Sequence, residues 1–193
     1  MVRSRGHHRY AYDLAAIDSP SGGYLSKSRI KLLFSGASVE DSYSWAQPVY
    51  APVDAAVVDL CNDAADNRSL HRVASLARSA GRHTGDFRAL AGNFLLLKIR
   101  TVFVLLAHLR HGSIRVSKGD TISRGDTVGE VGNSGSSRTP HLHLQVVDGP
   151  DPLRAATLGF LVNDYERWNG RQWQPVRYRE LVKGERVRFG RSD

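Results

Sequence analysis

The chain has 193 residues, 41% hydrophobic and 24% charged, enough for one globular domain with a core of its own. Its single cysteine, Cys61, excludes an intramolecular disulfide and any multi-cysteine zinc site, and no apolar run approaches the roughly 20 residues of a membrane-spanning helix. The formal net charge of +8 favours polyanionic partners such as nucleic acid, anionic lipid or bacterial wall polymers.

In chain order, the stretch from Met1 to His8 opens basic but lacks the apolar core and cleavage site of a signal peptide. Short apolar runs bounded by turn signals then predict strands at Arg9–Ala15, Pro48–Ala51, Ala56–Leu60, Asn93–Ile99, Val102–Leu109, Thr127–Val131 and His141–Val147. The fold class is all-β, an antiparallel sheet or sandwich with two long insertions. Ser19–Ala46 reads as a Ser- and Gly-rich loop. Asn62–Gly92 is polar, with Leu70, Val73, Leu76 and Ala77 spaced for one short amphipathic helix. Loops this long inside a domain usually carry function, and these two are expected to wall a groove. Between them and the last predicted strand, Lys118-Gly119-Asp120-Thr121 is echoed by Arg124-Gly125-Asp126-Thr127, with Ile122 and Val128 as the buried partners. The chain divides into a β-domain over residues 1–164 and a basic extension over 165–193. In the extension Arg167, Arg171, Arg177, Arg179, Lys183, Arg186, Arg188 and Arg191 alternate with Trp168, Trp173, Tyr178 and Phe189. That pattern fits an edge hairpin guarded by charge and packed on the same domain, in preference to a single-strand nucleic-acid surface.

The chemistry concentrates in His141-Leu142-His143. On a strand His141, His143 and Gln145 share one face, while Leu142, Leu144 and Val146 anchor the other. Two imidazoles held close on a rigid element can form a metal site or an acid–base pair. A hydrolytic zinc site needs three protein ligands and an open position. His143 is one candidate, and His7, His8 and Asp13 near the N-terminus are the others; parity puts His7 on the face of Asp13, while His8 needs a bulge to join it. His108, closing the apolar run Val102–Ala107, reads as a proton-transfer or oxyanion-stabilising group, or simply as a satisfied core histidine.

Six pieces occur in one order: Tyr10-Ala11-Tyr12-Asp13, Gln47-Pro48-Val49-Tyr50-Ala51-Pro52, Gly92-Asn93, Leu106-Ala107-His108-Leu109, Gly132-Asn133-Ser134-Gly135 and Pro140-His141-Leu142-His143. Together they resemble the lysostaphin/LytM-type zinc metallopeptidases, which cleave peptide bonds in bacterial peptidoglycan, over roughly residues 6 to 150. The resemblance implies a core of the duplicated-hybrid-motif type and a Zn2+ cofactor. It makes His143 and Asp13 metal ligands, and His108 and His141 catalytic histidines. The family's remaining ligand is a histidine four positions before the aspartate. Arg9 stands there in this chain, so the role falls to His7 or His8. Ala55-Ala56 also departs from a family glycine. The implied substrates are peptidoglycan peptides or another peptide, the implied location extracytoplasmic, either periplasmic or wall-associated. Anionic wall polymers are a further partner, nucleic acid a disfavoured one. The alternatives are a non-catalytic wall-binding module on the same scaffold, a cupin-like iron site, and a basic nucleic-acid-binding domain.

Overall fold

The computed structural model describes residues 2–5, 10–18, 22–26, 37–70 and 86–190. The strands are β1 (Val2–Arg5), β2 (Ala11–Ala16), β3 (Pro48–Tyr50), β4 (Ala55–Cys61), β5 (Asn93–Ile99), β6 (Val102–Leu109), β7 (Thr121–Ile122), β8 (Thr127–Glu130), β9 (Leu142–Val147), β10 (Thr157–Leu158), β11 (Val162–Trp168), β12 (Trp173–Arg179) and β13 (Arg186–Arg188). An eleven-stranded sheet runs β12-β11-β13-β1-β2-β9-β6-β5-β4-β7, with β10 paired to β9, while β3 and β8 form a separate two-stranded sheet. The pairings are antiparallel, as the all-β reading requires.

The apolar runs of β5 and β6 serve both faces of the large sheet. Leu95, Leu97, Val104 and Leu106 bury into one core with Val49, Val57 and Val128 from the smaller elements. Phe94, Leu96, Phe103, Leu105 and Ala107 bury into a second core on the opposite face. A third cluster joins Tyr12 of β2 to Tyr165, Leu181 and Val187 of the C-terminal strands. The hairpin of β11 and β12 starts at Val162, and β13 pairs with both β1 and β11.

The internal echo is a structural repeat. Ser117 N donates to Asp120 Oδ2 and Ser123 N to Asp126 Oδ2, both at 2.8 Å, with Gly119 and Gly125 at φ +98° and +93°. These left-handed turns suit glycine. They launch β7 and β8, which bury Ile122 and Val128.

The insertions differ from expectation where they are described. Leu70, the first position of the expected helix, donates its backbone N–H to Ala37 O at 3.0 Å beside a bridge between Ser38 and Ser69. Val73, Leu76 and Ala77 lie outside the described residues. The α-helix found among the described residues is α1 (Phe87–Ala91), capped by Asp86, whose carboxylate accepts from Arg88 N at 2.9 Å. The first insertion carries a 3-10 turn over Val39–Asp41.

Candidate active site

Three neighbouring strands assemble the site. Asp13 of β2 lies directly opposite His143 of β9, and His143 directly opposite Ala107 of β6. Residues opposed across antiparallel strands share a face, so Asp13 and His143 meet by register alone. His141 precedes β9 by one residue and stays on the same side.

His108 arrives by another route. The pairing of β5 with β6 slips between Asn93 and Phe94, whose partners are Leu109 and Ala107, so His108 is the extra residue of a β-bulge. Its φ is +65°. Strict alternation would bury His108 on the face of Leu106 and Val104. The bulge instead turns Leu109 into that core and swings His108 to the site, its ring centroid 4.9 Å from that of His141 and 5.9 Å from that of His143.

The polar geometry is dense. Asp13 Oδ1 lies 2.8 Å from His143 Nδ1 and 3.5 Å from His141 Nε2. Burial pushes the Asp13 carboxyl upward, but hydrogen bonds and charge from His141 and His143 in their protonated forms outweigh it and hold the group far below the usual carboxylate range. His108 is 8% exposed. Desolvation, reinforced by its two histidine neighbours, pushes it well below the ordinary imidazole value, so it is neutral at pH 7. Its Nδ1–H donates to Ser134 O at 3.1 Å, which leaves Nε2 as the proton-accepting nitrogen. His141 Nδ1 is fixed likewise, 2.7 Å from Thr139 O and 3.2 Å from Ser137 Oγ. Ser134 enters the sequence reading only as part of the Gly132–Gly135 piece and Thr139 not at all, because a supporting carbonyl carries no residue signature.

The donor set suits zinc. Asp13 and His143 present a carboxylate oxygen and an imidazole nitrogen side by side. The other nitrogen of His143 meets Gln145 Oε1 at 3.1 Å, and Gln145 Nε2 donates to Thr157 Oγ1 at 2.8 Å. Such an outer partner fixes the tautomer of a metal-ligating imidazole. Among the described residues no group of three or more His, Cys, Asp or Glu forms a complete metal cradle. His7 and His8, the candidates for the third donor, lie outside the described residues. The structure thus brings together Asp13, His108, His141 and His143.

The model of peptidase family M23 matches residues 39–155. No curated protein matches the chain. Among solved structures, a catalytic-domain mutant of the prophage-encoded M23 protein EnpA from Enterococcus faecalis is similar at 15% identity, TM-score 0.47, over 82% of this chain and 88% of that one. Lysostaphin from Staphylococcus simulans aligns at 12% identity, TM-score 0.45, over 97% of this chain and 79% of its own. A zinc-containing peptidase from Vibrio cholerae aligns at 20% identity, TM-score 0.39, over 80% of this chain and 39% of its own.

Proposed function

The chain belongs to peptidase family M23, and from that premise we propose that it is a zinc-dependent endopeptidase cutting peptide bonds of bacterial peptidoglycan. The observation that carries this reading is the convergence of Asp13 and His143, directly opposed, with His141 and His108 packed against them. Asp13, His143 and either His7 or His8 would hold the ion. Zinc bound there supplies Lewis-acid polarisation of the scissile carbonyl and lowers the pKa of water.

The chain's own groups do the rest. His141, pinned through Nδ1 to Thr139 O, keeps Nε2 toward Asp13 and takes a proton from the attacking water at that nitrogen. His108, neutral and pinned to Ser134 O, receives that proton from the neighbouring His141 at Nε2 and delivers it to the departing amine, which returns both histidines to their starting state. Side-chain exposures of 14% for His141 and 20% for His143 keep both groups within reach of a bound peptide while limiting water around them. The enzyme works outside the cytoplasm, where its net charge of +8 draws it to anionic wall polymers.

The test pairs metal analysis with cleavage. The purified chain should carry zinc, not iron, and release amino groups from peptidoglycan sacculi. His141→Ala should keep its zinc and lose about 100-fold or more in rate. A metal-free chain that sediments with sacculi yet releases nothing would turn the assignment to a non-catalytic wall-binding module.

A further inference from the structure

The loop from Gly132 to Pro140 joins β8 to β9 and supplies the groups that orient both candidate catalytic histidines: Ser134 O for His108, Thr139 O and Ser137 Oγ for His141. Part of this loop is tied to the strands, since Ser134 Oγ accepts from Asn93 N at 2.9 Å and donates to Leu109 O at 2.8 Å. Its other side rests on the second insertion. Three of its carbonyls converge on one side-chain amide: Asn67 Nδ2 lies 2.8 Å from Asn133 O, 3.0 Å from Gly135 O and 3.2 Å from Ser137 O. Asn133 Nδ2 donates back to Asn67 O at 2.6 Å, and Asn133 N donates to Asp66 Oδ1 at 2.7 Å.

Carbonyl oxygens pointed at one another repel unless a donor sits between them, and in a shielded place that repulsion is not relieved by water. The Asn67 side-chain amide is the donor these three carbonyls share, and the Asn67 backbone N–H adds a second donor to Asn133 O at 3.1 Å. The carbonyls the side-chain amide gathers flank both Ser134 and Ser137, so the histidine supports on either side of Gly135 depend on the same group.

We propose that Asn67 is a positioning residue for the reaction, setting the rotation of His108 and His141 through the 132–140 loop. This rests on the proposed catalytic roles of those two histidines. A shift of a reacting group by about 1 Å can cost on the order of 100-fold in rate, so a partial loosening of the loop is readable as a rate loss.

Asn67→Asp tests it. The substitution keeps the size and places a carboxylate against three carbonyl oxygens. With sacculi as substrate, kcat should fall about tenfold or more while KM stays within about twofold and zinc content is unchanged. In the zinc-loaded protein the imidazole 15N shifts of His108 and His141 should move. If the aspartate variant does not fold, Asn67→Ser, which removes the three-way donor without adding charge, carries the same expectations. Unchanged kcat and unchanged imidazole shifts, or a loss confined to KM or zinc content, would overturn the proposal. His108→Ala in the same assay separates the two ideas: wild-type activity there removes the catalytic roles themselves, whereas an inert His108→Ala beside a fully active Asn67→Asp removes only the positioning.

Discussion

His108 shows what a single residue can hide from sequence reading. Period-two alternation along Val102–Leu109 assigns its side chain to the core, which is why a satisfied core histidine is the natural reading of that residue alone. The bulge opposite Asn93 reverses that assignment, and no spacing rule announces a bulge. Asp13 and His143 are the opposite case. Their parity on each strand is legible, and only the register that sets them face to face comes from the fold. The bulge has a measurable cost, because a non-glycine residue at positive φ is strained by roughly 1–2 kcal/mol. His108→Ala and His108→Gly both remove the imidazole and its hydrogen bond to Ser134, but only glycine also removes the strain. In urea unfolding, His108→Gly should therefore exceed His108→Ala in stability by about 1 kcal/mol, with both inert. Equal stabilities would show that the φ of +65° is not carried at a cost.

At the scale of elements, the long apolar strands were the most legible. Asn93–Ile99 and Val102–Leu109 appear with the predicted limits because each has a long apolar stretch, Phe94–Leu97 and Val102–Ala107, and the Arg100-Thr101 turn separates them. In the second insertion Ser69 bridges to Ser38 of the first, a long-range pairing that no local period announces, and α1 is too short for a helical period to register. The site loop depends on two glycines whose partners lie far off in sequence. A Cβ on Gly92 would fall 2.4 Å from Gly135 N, and one on Gly135 would fall 2.5 Å from Gly92 N. Backbone cannot yield at that distance without moving the support of His108. Gly92→Ala should thus destabilise by about 2 kcal/mol or more and lower activity as well. Gly119→Ala is the control. Its φ of +98° is equally unsuited to alanine, yet nothing lies within 4 Å, so it should cost only about 1 kcal/mol and leave cleavage unaltered. Thermal melts of the two variants would separate close packing from backbone strain; equal losses would contradict this distinction.

For the whole molecule, net charge and the C-terminal strands belong together. Three arginines of that region are neutralised locally: Arg167 by Glu185 at 3.3 Å, Arg177 by Asp164 at 3.0 Å, and Arg188 by Glu166. Arg171, Arg179 and Lys183 are without an ion-pair partner among the described residues, on strands and turns at the end of the sheet farthest from β4 and β7. Their field is directed at solvent and adds to the overall charge of +8. An anionic wall should feel it at long range in dilute buffer. The screening length falls from about 10 Å at 0.1 M salt to about 3 Å at 1 M. Retention on sacculi should accordingly drop steeply over that range, while the rate on a short soluble muropeptide should hardly change, since the site is assembled by contacts and not by distant charge. Reversing Arg171, Arg179 and Lys183 to glutamate should shift the loss of retention to lower salt and leave soluble cleavage intact. Retention indifferent to both salt and reversal would place the wall contact on the peptide groove alone.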